Sequence, residues 1–230
     1  MSCLAIIPAR GGSKRIPKKN IKDFLGKPII AYAIQNAIDS QIFDEVMVST
    51  DDKDIEKIAL NYGANVPFKR SEKNSNDFAT TIDVITEVLS SYKKNGKNFK
   101  YACCIYPCTP LLNKENLKNS YSLLKRDNLD CVFPIIRYGF PIQRAVKINN
   151  NGLVEMLHPV YLNTRSQDLE PTFHDAGQFY FFKVDDLLLK QKLLTNNTSY
   201  IELSEMEAQD IDNLIDWELA EIKYKIINNY

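Results

Sequence analysis

The chain has 230 residues, 44% of them hydrophobic and 25% charged, and its 29 basic side chains are balanced by 29 acidic ones. This suits one sizeable domain with a real core. It lacks the basic face expected of a nucleic-acid binder, and no apolar run approaches the ~18 residues of a membrane helix. The first apolar run is too short for a signal peptide, with its positive charge on the wrong side, so the expected location is the cytoplasm. The five cysteines form no C-x-x-C pair, and Cys103 and Cys104 sit inside an apolar run, so they read as reduced core thiols.

In chain order, the first element is the apolar run 4–7, the pattern of a buried strand. It stops at Pro8 and opens into a loop carrying Arg10, Lys14, Arg15, Lys18, Lys19 and Lys22, with Asp23 the only nearby acid. Gly11 and Gly12 allow backbone N–H groups to turn toward an anion. The same composition would also serve a solvated basic turn. Neither G-x-x-x-x-G-K-[ST] nor G-x-G-x-x-G is present. Pro28 suits a first helical turn, followed by Ile30, Ala33, Ile34, Ala37 and Ile38 at helical spacing. A second strand spans 45–49, and Asp51 or Asp52 can cap a helix carrying Ile55, Ile58 and Ala59.

Helices at 82–92 and 114–126 then alternate with strands at 102–106 and 131–136. This order predicts a three-layer α/β domain with a mainly parallel sheet and right-handed crossovers. The alternation fails over 138–175, where Gly139, Pro141, Gly152, Pro159 and Pro171 interrupt any helical period, and an inserted arm or hairpin is expected. A strand returns at 178–184, 200–203 is a further candidate, and a last helix covers 213–226. The whole chain, 1–230, reads as a single domain with the arm as its insertion. Before the last helix stands Gln209-Asp-Ile-Asp212, whose two carboxylates point the same way if the segment is extended. They can meet one hard cation, or Asp212 can cap the helix while Asp210 is solvated.

The stretch Ile7-Pro-Ala-Arg-Gly-Gly-Ser-Lys-Arg-Ile-Pro-Lys-Lys-Asn20 closely resembles the signature of the CMP-acylneuraminate synthetase type of cytidylyltransferase. The resemblance continues through Asp44-Glu-Val-Met-Val-Ser-Thr-Asp51 and covers almost the entire chain. It implies a Rossmann-like fold of the nucleotide-diphospho-sugar transferase type, with 138–175 as a dimerisation and sugar-binding arm. It implies transfer of CMP from CTP to a nonulosonic acid, with Mg²⁺ and a homodimer. Carried over by position, Arg10, Ser13 and Lys19 contact the triphosphate, Gly12 supplies a backbone contact and Asn20 touches the nucleotide. Arg70 and Thr81 contact cytidine, helped by backbone groups of Ala9 and Arg10. A surface arginine and a helix-capping threonine are the plainer readings of Arg70 and Thr81. For Asp51, a helix cap is the plainer reading.

By the same resemblance, Asp210 and Asp212 bind Mg²⁺ and join Arg10 and Lys19 in catalysis. A D-x-D also occurs in glycosyltransferases of similar fold, which lack the basic first loop. On the acceptor side, Tyr106 stands where the family usually has Gln, and Ala176 where neuraminate enzymes usually have Asn. Gln178 and Tyr180 lie in the same sugar-facing segment. Arg144 and Arg165 align with positions that reach the acceptor carboxylate from the neighbouring subunit. The two departures favour pseudaminic acid as acceptor, with legionaminic, N-acylneuraminic and 3-deoxy-manno-octulosonic acids as alternatives. No general base is assigned, and neither His158 nor His174 is accompanied by a nucleophile elbow.

Overall fold

A computed structural model describes residues 2–229. The strands are β1 (Cys3–Pro8), β2 (Asp23–Phe24), β3 (Lys27–Pro28), β4 (Glu45–Ser49), β5 (Tyr101–Ile105), β6 (Cys131–Arg137), β7 (Val146–Ile148), β8 (Val154–Met156), β9 (Phe173–Asp175), β10 (Phe179–Lys183) and β11 (Thr198–Leu203). The helices are α1 (Ile30–Ser40), α2 (Lys53–Asn61), α3 (Thr81–Lys94), α4 (Lys114–Arg126), α5 (Val184–Lys190) and α6 (Leu214–Asn228).

The central sheet runs β11-β6-β10-β5-β1-β4, with β9 paired to β6. The β1–β4, β1–β5 and β6–β11 pairings are parallel, while β10 lies antiparallel between β5 and β6. The mainly parallel α/β expectation therefore holds, with β9 and β10 as the reversed strands. The unbroken apolar run of β1 has a direct cause. Cys3, Ala5 and Ile7 enter the core on one face of the sheet, with residues from α1, α2 and α4. Leu4 and Ile6 enter the core on the other face, with residues from α3 and α5. A strand covered on both faces needs apolar side chains at every position.

The helix starts follow local chemistry. Asp52, not Asp51, caps α2 by accepting from the N–H groups of Asp54 and Ile55. Thr80 and Asp83 form a capping box on α3, and Asn213 and Asp216 form another on α6. Pro28 lies outside α1, pairing with Asp23 in a two-residue hairpin. A separate apolar cluster joins that hairpin to the last helix. Phe24 meets Tyr32 and Trp217 edge-on, each at 5.4 Å between ring centroids. Ile16 and Ile211 belong to the same cluster.

The arm leaves the end of β6, forms the antiparallel β7–β8 hairpin and three 3₁₀ turns, and returns as β9 against β6. It carries large apolar side chains in the open: Phe140 is 88% exposed, Val160 80% and Ile148 75%. Among the described residues, no helix is long and apolar enough to cross a membrane, and all five cysteines are free thiols.

Candidate active site

The carboxyl ends of β1, β4 and β5 converge, as expected for ligand binding in open α/β sheets. A cleft of about 520 Å³ lies there, bordered by Arg10, Ser13, Lys19, Asn20, Asp210 and Asp212 among others. The loop after β1 is pinned to the sheet. The Gly11 N–H donates to Asp51 Oδ1 at 3.0 Å, and the Ala9 N–H donates to the Ser49 carbonyl at 2.9 Å. A Cβ on Gly11 would lie 2.7 Å from Asp52 Oδ2, so that position has no room for one. Gly12 is exposed, with open space where a Cβ would be, and does not line this cleft. Asp51 is thus a loop anchor rather than a helix cap. The Ala9 N–H is committed to the sheet and is not free for base recognition.

The cations are held in place and partly neutralised. Lys19 Nζ donates to the Ile211 carbonyl at 2.6 Å. Asn20 is buried, with its Nδ2 donating to the Arg10 carbonyl at 2.9 Å and its Oδ1 accepting from Cys108 Sγ at 3.2 Å. Arg10 pairs with Asp77 at 2.7 Å, and Lys14 pairs with the same carboxylate. Asp77 therefore stands as an internal anion against the cationic loop. Burial pushes the Cys108 thiol up to about 12, which leaves it a poor nucleophile beside the cleft.

A second, smaller cleft of about 240 Å³ adjoins the first and is bordered by Arg70, Thr81 and Tyr106. Arg70 is only 6% exposed. Its Nε donates to Ser49 Oγ at 3.0 Å and its Nη2 to the Ser49 carbonyl at 2.5 Å. Burial pushes the guanidinium below its usual value, opposed by the charges of Asp51 and Glu87. Neither plainer reading holds: Arg70 is not a surface charge, and Thr80 rather than Thr81 caps α3. The Thr81 hydroxyl instead bonds to the Tyr106 hydroxyl at 3.2 Å.

Asp210 and Asp212 both border the main cleft. Asp212 does not cap α6, because Asn213 does; the Asp212 carboxylate pairs with Arg15 at 2.7 Å. Burial, then the like charge of Asp212, pushes the Asp210 carboxyl up, and Lys19 opposes this. Two hard oxygen donors that repel each other beside this cleft fit a divalent cation whose remaining positions would be filled by water and substrate oxygens. Among the described residues, no group of three or more His, Cys, Asp or Glu gathers to hold a metal alone. Sequence reasoning missed the two isoleucines that set this geometry. Ile16 follows Arg15 and Ile211 separates the two aspartates; both are buried in the cluster under Trp217. Each is an apolar residue inside a charged loop, and that was the available signal.

On the acceptor side the residues separate. Tyr106 borders both clefts. Ala176 is buried and borders a third cleft of about 420 Å³ that shares Asp210 with the first. Gln178 is buried, its Nε2 donating to the Glu207 carbonyl at 2.6 Å. Tyr180 is buried, its hydroxyl donating to Asp175. Neither side chain lines the three clefts, so both lie behind the pocket wall rather than in it. Arg144 Nη1 donates to the Thr164 carbonyl at 3.0 Å and Arg165 pairs with Asp168 at 2.7 Å, both in the arm and away from their own chain's clefts.

A family profile described as cytidylyltransferase matches residues 4–222. The chain is 42% identical to a pseudaminic acid cytidylyltransferase of Campylobacter jejuni subsp. jejuni over 98% of this chain and 97% of that protein. It is 30% identical to a CMP-N,N'-diacetyllegionaminic acid synthase of Legionella pneumophila subsp. pneumophila, over 96% of this chain and 95% of that one. A solved structure of a CMP:2-keto-3-deoxy-manno-octonic acid synthetase complexed with CTP superposes with a TM-score of 0.73 over the full length of both chains. At 17% identity, that likeness speaks to the fold alone.

Proposed function

The chain belongs to the cytidylyltransferase family, and from that premise we propose that it transfers CMP from CTP to the anomeric hydroxyl of a nonulosonic acid, pseudaminic acid first, with release of pyrophosphate. The observation that carries the reading is the convergence of Arg10, Ser13 and Lys19 with Asp210 and Asp212 around one cleft. Attack on the α-phosphorus moves charge onto the departing pyrophosphate. Lys19, held by the Ile211 carbonyl, and Arg10, once released from Asp77, stabilise that charge. The triphosphate takes Arg10 and Lys14 from Asp77. Asp210 and Asp212 would hold Mg²⁺, which supplies charge neutralisation on the phosphates when bound.

Cytidine occupies the smaller cleft beside Arg70 and Thr81, and the sugar acid lies past Tyr106 toward Asp210 and Ala176. Cys108 offers no activated thiolate, so direct in-line attack by the anomeric oxygen is the simpler route. The exposed apolar arm supports a homodimer, in which Arg144 and Arg165 reach the partner's acceptor site. We place the reaction in the cytoplasm, where CTP is made.

The test is pyrophosphate release with CTP and a panel of nonulosonic acids, without any acceptor glycan. Pseudaminic acid should be used best, and N-acetylneuraminic acid poorly, because Tyr106 and Ala176 lack the usual amides. Comparable efficiency on both acids removes the substrate choice. No release with any sugar acid removes the reaction.

A further inference from the structure

The acceptor cleft holds a cation that its own chain leaves without a counter-ion. Lys223 lies on α6 and borders this cleft together with Arg137, Glu205 and Asp210, but does not border the nucleotide clefts. It is half-buried, and its Nζ donates to the Ala208 carbonyl at 2.8 Å. An ammonium has three N–H donors, and that bond uses one. Among the described residues, no carboxylate comes within ion-pair distance of Lys223. Burial pushes the ammonium below its ordinary value, and the charge of Glu205 opposes this without closing a pair. The cations of the loop after β1 differ, since Arg10, Lys14 and Arg15 each pair with a carboxylate. A partly desolvated cation with unmatched donors at a cleft is short of an anion.

The chemistry of the acceptor says where that anion belongs. In an α-keto acid sugar the carboxylate is bonded directly to the anomeric carbon. Wherever the anomeric oxygen meets the α-phosphorus, the carboxylate lies beside it. The meeting point is near Asp210, the residue that the acceptor cleft shares with the main cleft. Lys223 is tied to the chain two residues before Asp210, at the buried Ala208. Arg144 and Arg165 of the same chain are held within the arm.

We propose that Lys223 is a binding residue for the carboxylate of the sugar acid, supplied by the same chain that supplies Asp210. The inference rests on the proposed function for its substrate and on the chain's own bonds for its placement. The Ala208 carbonyl fixes the ammonium, and the donors left over serve the carboxylate. A carboxylate accepts several hydrogen bonds, so arginines from a partner's arm can share it. A sugar without the acid group would leave the ammonium as unpaired as it is in the empty cleft.

The test compares pseudaminic acid with its carboxamide, which keeps the shape and removes the charge. Pyrophosphate release gives the KM for the acid and, by competition, the inhibition constant of the carboxamide. In the wild type the acid should be favoured about tenfold or more. Lys223→Met should raise the KM for the acid by a similar factor, with little change for the carboxamide and none in the KM for CTP. The ratio of the two constants should therefore collapse, and Lys223→Arg should restore much of it. If Lys223 only braces the Ala208 carbonyl, acid and carboxamide weaken together and the ratio is kept. That result, or an unchanged KM for the acid, overturns the proposal. Should Lys223→Met lose its fold by circular dichroism, Lys223→Gln gives the same comparison with a polar side chain. If the wild type releases no pyrophosphate with any sugar acid, the proposed function falls and this inference with it. Release by the wild type with an unmoved ratio in the variants removes this inference alone.

Discussion

The cationic loop after β1 and the arm are both irregular segments, yet they are finished differently. The groups that fix the first loop have partners inside the chain: Gly11 on Asp51, Asn20 on Arg10, Lys19 on Ile211, Ile16 in the cluster beneath Trp217. The arm has a hairpin and a strand anchored to β6, but leaves Phe140, Val160 and Ile148 to solvent. A polar loop can be completed by hydrogen bonds within one chain, whereas an apolar surface is completed only by another surface. The first loop is ready to bind by itself. The arm is left with an uncovered apolar surface.

The largest break in this contrast should come from the acidic pair. Asp210→Asn and Asp212→Asn should each lower turnover by about a hundredfold or more and weaken the dependence on added Mg²⁺, because a neutral amide is a poor ligand for a hard cation. Oligomeric state should be unchanged. The Asn213–Asp216 capping box is untouched, so thermal midpoints should stay within about 2 °C of wild type. Preserved metal-dependent turnover would remove the assignment.

Arg10→Ala and Lys19→Ala follow, each costing about tenfold to a hundredfold in kcat/KM for CTP through loss of a charge-assisted contact. Near-normal kinetics with either variant would mean the triphosphate lies elsewhere.

The arm is tested by mixing. If Arg165 serves the neighbouring site, inactive Arg165→Ala and inactive Asp210→Ala chains should complement when co-refolded. About half of randomly paired dimers are hybrids, each with one intact site, so about a quarter of full activity should return. Hybrids that form and stay inactive would confine the arm to assembly.

The smallest effect belongs to Asp77. Replacing it with Asn frees Arg10 and Lys14, so the KM for CTP should fall a few-fold at low ionic strength and converge with wild type in high salt. A rise in KM would show that Asp77 orders the loop rather than competing for it.

The strands and helices were legible because their periodicity is local: β1 reads as a strand covered on both faces, and it is. The reversal of β10 was not legible, since Phe179–Lys183 is apolar on both faces whichever way it runs. Direction there is imposed by the arm, which leaves the carboxyl end of β6 and returns to that same end as β9, so the chain must run back antiparallel. The cationic loop and the acidic pair were visible as concentrations of charge. Their fine structure was not. Asp51 and Asp52 differ only in which backbone N–H lies in reach, and Thr80 and Thr81 in which one starts the helix. Tyr180 was expected to face the sugar acid, but it stands behind the cleft wall, a placement set by three-dimensional packing that periodicity does not carry.

The shared burial of Ile16 and Ile211 makes the first loop and the last helix one mechanical body. Reciprocity follows: whatever steadies the loop must steady the helix by the same free energy, and fraying at the carboxyl end must weaken the grip on nucleotide. Amide exchange along α6 should therefore slow when CTP binds, although the helix itself is expected to meet no atom of it. Unchanged exchange across that helix would mean the two segments merely share a cavity. If it does slow, the protein's tail is a gauge of its catalytic head, readable without turnover.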